Sequence, residues 1–230
     1  SGVSKSTIAE IISLYFGVEQ TIVLSTDDLH KWERNNKNWK LFTHLNPEAN
    51  NLELGDMHIQ DLYLGKSVYR SVYNHETGYF NPPIKIDPKP VIVIEGLHAF
   101  YTEFSKQTID LKIFIDTDER LRTHWKIIRD TEERGYKYNI VLDTINKRKL
   151  DNDKIRKAQI DVADVIINIS TKEEIKCLGD KEEQLDLEIT IPFMKDHVDA
   201  QLFQFIKDYF CKLDNFIVYN CFHCIMSHIV

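Results

Sequence analysis

Hydrophobic positions along the chain follow two periods. Ile8, Ile11, Ile12 and Tyr15 recur at i, i+3, i+4 and i+7, the spacing of a helix with one apolar face. Thr21–Leu24 follows as a short buried strand and ends in Ser-Thr-Asp-Asp. Residues 31–53 are polar and turn-rich, and 56–65 read as a helix. Residues 66–90 hold four of the six prolines and predict an extended excursion. Val91–Ile94, bounded by Pro90 and Gly96, is a β-branched run of the kind that forms a buried parallel strand. Leu111–Ile115 predicts another strand, followed by a helix capped by Asp118 that runs to Arg134 and stops at Gly135. Two helices are expected at 138–148 and 152–162, and a strand at Val165–Ile169. This alternation predicts an α/β domain around a parallel sheet.

After Ser170 the character changes. Residues 171–184 are a charged connection, and Leu185, Leu187, Ile189 and Ile191 alternate with polar residues as in a half-exposed strand. A helix is expected from Asp196 to Lys212, and the last fifteen residues are apolar without a pattern. The expected division is a main domain over 1–170 and a small α+β appendage over 171–230, packed on the same domain.

Composition narrows the function. The 230 residues are 43% hydrophobic, which argues against disorder, and the net charge of −7 argues against bulk affinity for nucleic acid or anionic membranes. No run of about 18 apolar residues is present to span a membrane. Four cysteines do not make a disulfide framework in a chain this size, so a reduced, cytoplasmic setting is expected. Cys221 and Cys224 with His223 and His228 lack a second ligand pair, so buried cysteines are expected there rather than zinc.

Candidate chemistry begins at the start of the chain. Lys5-Ser6-Thr7 directly before a helix matches the end of a P-loop, G-x-x-x-x-G-K-[ST]. Backbone N–H groups over Gly2, Val3, Ser4, Lys5, Ser6 and Thr7 would bind phosphates, Lys5 would reach the β- and γ-phosphates, and Ser6 would ligate Mg²⁺. Ser4 replaces the second glycine, at a cost on the order of 1 kcal/mol if that residue needs φ > 0. The first glycine and the strand before it would precede residue 1, so the chain is expected to derive from a longer protein. A native mass above 27.1 kDa by an N-terminal extension supports that expectation, and an identical mass sinks it.

Glu95 ends a buried strand, where such enzymes place a Mg²⁺-linked carboxylate. Asp27-Asp28 ends another, and paired carboxylates there suit a general base with a metal partner. Lys126, Arg129, Asp130 and Arg134 share one helical face and could close over phosphates.

With these segments in that order, the chain resembles the phosphoribulokinase/uridine kinase family, on the phosphoribulokinase side. The resemblance covers residues 1–170 and rests on Asp27-Asp-Leu-His-Lys-Trp-Glu-Arg34, Leu45-Asn-Pro-Glu-Ala-Asn-Asn51 and Val72-Tyr-Asn-His-Glu-Thr-Gly78. Pro82-Pro83, Val93-Ile-Glu-Gly-Leu-His98, Trp125–Gly135 and Ala163-Asp164 complete it. It implies a three-layer P-loop kinase fold, with ATP and Mg²⁺ as cofactors. Asp27 would be the base, Glu95 and Asp130 would lie near Mg²⁺, and Lys5, Arg129 and Asp130 would join the catalytic group. His30, Arg34, His75, Lys126 and Arg134 would handle a phosphorylated sugar, and a homo-oligomer, dimer or tetramer, is expected. The expected activity is phosphoryl transfer from ATP to a hydroxyl of a ribulose 5-phosphate-like pentose. A uridine/cytidine kinase, for which Trp32, Tyr73 and Tyr79 supply stacking aromatics, and a degenerate non-catalytic nucleotide-binding domain are the alternatives.

Overall fold

A computed structural model describes residues 5–74, 76–171, 185–190, 199–212 and 216–218. Gly2, Val3, Ser4, His75 and the Cys/His tail lie outside the described residues. The chain divides into two compact units, one of residues 6–109 with 150–158, the other of Lys5 and 110–149 with the described residues from 159 onward.

In the first unit, helix α1 (Lys5–Phe16) buries Ile8, Ala9 and Ile11, the face its period predicts. Strand β1 (Thr21–Ser25) is followed by a 3₁₀ turn, Thr26–Leu29. Helix α2 spans Leu52–Tyr63, four residues earlier than its periodicity suggests. Gly55, a helix breaker by propensity, falls inside it for a packing reason: a Cβ there would meet Leu29 Cδ1 at 2.7 Å. The proline-rich excursion contains an antiparallel ribbon, β2 (Val68–Arg70) with β3 (Ile84–Ile86). Strand β4 (Val91–Glu95) runs parallel to β1, with Thr21 opposite Val91 and Ser25 opposite Glu95. Ile22 and Leu24 of β1 pack with Leu62, Val68, Ile86 and Ile92 into one core. Helix α3 (Glu103–Thr108) is too short to show a period; Thr102 caps it through Oγ1, which accepts from Ser105 N.

The second unit is built on a four-stranded sheet in the order β5-β6-β7-β8. Strand β5 (Ile113–Thr117) leads to helix α4 (Glu119–Ile128), capped as expected by Asp118, which accepts from Arg120 N and Leu121 N. A π-helical turn, Arg129–Glu133, replaces the last α-turn predicted before Gly135. Helix α5 runs unbroken from Tyr138 to Ile160 where two helices were expected, because Asp151-Asn152-Asp153 contains neither Gly nor Pro to stop it. Its residues 150–158 belong to the first unit. Strand β6 (Val165–Thr171) pairs parallel with β5 and fully buries Val165, Ile167 and Ile169. Strand β7 (Leu185–Thr190) pairs antiparallel with β6. Helix α6 (Ala200–Phe210) buries Leu202, Phe203, Ile206 and Phe210, and strand β8 (Phe216–Val218) adds parallel to β7. Among the described residues no helix is long and apolar enough to cross a membrane.

Candidate active site

In the first unit the parallel register of β1 and β4 places the candidate residues. Ser25 and Glu95 are direct partners, so the Asp27 turn and the Glu95 carboxylate leave the sheet at the same carboxyl edge, where ligands of open α/β sheets collect. Ser25 Oγ accepts from Asp27 N at 3.3 Å and starts the turn. Asp27 and Glu95 are half-buried.

Gly96 permits this approach. Its φ is +130°, and a Cβ there would overlap Thr26 Oγ1 and stand 3.1 Å from Thr26 N. Gly96→Ala is therefore expected to lower stability by about 1–3 kcal/mol. Because the displaced group is the turn carrying Asp27, it is also expected to cost turnover about 10-fold or more. Urea unfolding and steady-state kinetics measure the two effects.

Thr26 Oγ1 also accepts from His98 N at 3.4 Å, and His98 Nε2 meets the Leu45 carbonyl at 3.0 Å. That contact ties the segment after β4 to the 44–50 loop. The loop in turn orients His30, which is 8% exposed. Asn50 Nδ2 donates to the carbonyls of His44 and Asn46, which turns Oδ1 toward His30 Nδ1 at 2.8 Å. Since Oδ1 only accepts, Nδ1 carries a proton. Trp39, His44 and Tyr73 pack around the ring at 5.0–5.5 Å between centroids.

Arg34 is exposed and held from a second loop. Its N donates to the Gly78 carbonyl at 2.9 Å, and Nη1 donates to the Glu76 carbonyl at 2.8 Å. Gly78, at φ +80°, leaves space that a Cβ would fill against Arg34. Tyr73 and Phe80 close this loop as a bridge.

The second unit, taken by itself, holds a cluster of cations around one carboxylate. Asp130 Oδ2 accepts from Lys126 Nζ, while Oδ1 takes Arg129 Nε and Nη2 at 2.9 and 2.8 Å and Arg134 Nη1 at 3.4 Å. Burial would push this carboxyl up, but the hydrogen bonds from Lys126 and Arg129 outweigh it and hold the group below the ordinary range. Burial lowers the Lys126 ammonium against the pull of Asp130. Asp130 thus organises three cations, and coordinating a metal would require Lys126 or Arg129 to give way.

Sequence reasoning missed Arg148. It lies in a Lys-Arg-Lys run that reads as solvated, yet burial lowers its guanidinium while Asp130 opposes that shift. It also missed Asn50 and Arg70, both buried. Asn50 meets His30 across 20 residues, and Arg70 meets Ser25 and Asp28 across more than 40.

Lys5 and Ser6 open α1, whose first turn has no acidic residue. A helix start without acids suits an anion. Ser6 is exposed, and its hydroxyl and the Glu95 carboxylate are hard oxygen donors of the kind Mg²⁺ takes. Among the described residues no three His, Cys, Asp or Glu side chains cluster as a metal cage. Mg²⁺ seldom uses such a cage, so these donors fit it.

A comparison with known families matches residues 1–176 to the "Phosphoribulokinase / Uridine kinase family". The chain belongs to that family. A phosphoribulokinase of Synechocystis sp. is 38% identical over 185 residues, which cover 80% of this chain and 55% of that protein. A uridine kinase of Brevibacillus brevis is 29% identical, over 59% of this chain and 64% of that protein. The solved structure of the phosphoribulokinase from Rhodobacter spheroides superposes with a TM-score of 0.71 at 20% identity, covering 91% of this chain and 83% of that one. The fold is the family's α/β P-loop kinase fold. The chain spans about half the length of the Synechocystis phosphoribulokinase.

Proposed function

We propose that this family member is an ATP- and Mg²⁺-dependent kinase that phosphorylates a hydroxyl of a phosphorylated pentose, ribulose 5-phosphate or a close relative. The carrying observation is the acceptor edge, where Asp27 and Glu95 leave neighbouring strands while His30 and Arg34 are each held by a separate loop. The 38% identity to a phosphoribulokinase supports the choice of acceptor.

In this reading Asp27 takes the proton of the attacking hydroxyl. Arg34 meets the sugar's phosphate with a planar fork suited to bidentate contact, oriented by its bond to Glu76 O. His30, whose ring Asn50 orients through Nδ1, contacts the sugar. Ser6 and Glu95 would hold Mg²⁺, which when bound neutralises charge on the transferred phosphates. Lys5 with Lys126, Arg129 and Arg134 neutralises charge on the equatorial oxygens, and Asp130 keeps the last three from repelling one another. A cytoplasmic homo-oligomer is part of the proposal, as the family resemblance implies.

The test is ATP turnover by the natural full-length protein with ribulose 5-phosphate and with uridine. Turnover on the sugar phosphate, raised at least 10-fold in KM for that substrate by Arg34→Ala, is the expected result. Turnover on uridine alone overturns the acceptor and moves the protein to the other branch of the family. No ATP binding at all overturns the kinase.

A further inference from the structure

The proposed mechanism uses one carboxylate of the Asp27-Asp28 pair. Asp28 is engaged elsewhere. Its Oδ1 accepts from Tyr73 N at 2.8 Å, and its Oδ2 lies 3.7 Å from Arg70 Nε. Arg70 ends β2, is 5% exposed, and donates through Nη2 to the Ser25 carbonyl. One buried cation therefore grips the catalytic turn at both ends, at Ser25 O and at Asp28.

The grip extends to the acceptor loop. Tyr73 opens the loop that closes at Phe80, and the carbonyls of Glu76 and Gly78 in that loop hold Arg34. The links are an ion pair from Arg70 to Asp28, a hydrogen bond from Tyr73 N to Asp28, and hydrogen bonds between Arg34 and the loop's carbonyls. An ion pair buried like this is weak support for stability, because apolar residues of similar size often do as well. What Arg70 supplies instead is placement of the turn, since its Nη2 donates to Ser25 O while its charge faces Asp28. Burial pushes the Arg70 guanidinium below its ordinary value, and Asp28 opposes that shift.

We propose that Asp28 and Arg70 are positioning residues of the acceptor site, which set the aim of Asp27 and the seat of Arg34 together. The proposal rests on the kinase reading above and deepens it. Loss of the pair is felt in the sugar phosphate's KM and in kcat, and not in the KM for ATP.

The test uses the natural full-length protein with Asp28→Asn, Arg70→Lys and Arg70→Ala. Hydrogen exchange needs no substrate. In Asp28→Asn the amides of Tyr73, Asn74 and Gly78 are expected to exchange at least 10-fold faster, with those of β5 and β6 unchanged. In kinetics, KM for ribulose 5-phosphate is expected to rise at least 10-fold and KM for ATP to stay within about twofold. Millimolar guanidinium is expected to restore part of the loss in Arg70→Ala. Unchanged exchange in the 73–80 loop overturns the proposal, whatever the kinetics. So does an equal rise in both KM values, which marks a merely structural role. Should Asp28→Asn fail to fold, Arg70→Lys keeps a cation against Asp28 without the guanidinium fork, and the same two readouts decide. Faster loop exchange in a protein whose wild type ignores ribulose 5-phosphate overturns the choice of acceptor and upholds the positioning pair.

Discussion

Asp27→Asn is expected to lower kcat on ribulose 5-phosphate by about 100- to 10,000-fold, the range a positioned general base contributes. The substitution is nearly isosteric, and Ser25 Oγ accepts from the backbone N of residue 27 rather than from its side chain. The turn therefore survives, and the loss falls on chemistry. ATP affinity by calorimetry is expected to stay within about twofold, because the binding term is separate from proton removal. The neighbouring carboxylate sharpens the test. Asp28 is held by Tyr73 N and Arg70 and cannot substitute for Asp27 without breaking both. Residual turnover above one tenth of wild type, with ATP bound normally, would remove Asp27 from the role of base.

Asp164→Ala is expected to destabilise the protein by about 3–5 kcal/mol, the cost of breaking a buried ion pair from one side. Asp164 is 1% exposed and Lys112 8%. Oδ2 of Asp164 accepts from Lys112 N at 2.8 Å and pairs with Lys112 Nζ at 3.2 Å. The backbone returns the contact, since the N–H groups of Asp164 and Val165 both donate to Lys112 O. This clamp sits directly before the Ile113–Val165 pair that starts the β5–β6 register. Alanine takes this carboxylate away from the buried ammonium and from the backbone N–H of Lys112. For a chain of this size the loss corresponds to a fall in Tm of about 6–20 °C. Asp164→Leu combined with Lys112→Met is expected to recover much of it, because removing both charges removes the uncompensated one. Thermal unfolding of the three proteins checks this; a fall in Asp164→Ala of less than about 3 °C would show that the pair does little.

These two aspartates differ in how legible they were. Asp27 follows a short apolar run, and the end of a buried strand is a place where chemistry collects in α/β folds; pattern and position alone mark it. The strands at Thr21–Ser25, Val91–Glu95, Ile113–Thr117 and Val165–Thr171 were legible for the same reason, since β-branched runs carry their signal locally. So was the basic stretch from Lys126 to Arg134, where helical spacing gathers three cations around Asp130. Asp164 was visible as part of a family motif, without a role.

The tertiary structure decided what depends on contacts distant in the chain. Gly55 belongs to a helix because Leu29 packs where its side chain would stand. Asn50 fixes the His30 proton across 20 residues, and Asp28 meets Tyr73 N and Arg70 across more than 40. A period of 2 or 3.6 reports only which face of an element is buried. It carries no record of which element lies opposite, so hydrogen-bonding partners of buried polar groups emerge only when the chain has folded. By itself, therefore, the sequence determined the fold class, the position of Asp27 and Glu95 at strand ends, and the basic helix. Folding decided which of two adjacent aspartates is anchored, which arginines are buried, and how the loops that carry His30 and Arg34 are held, because each of these rests on satisfying a buried charge or donor from elsewhere in the chain.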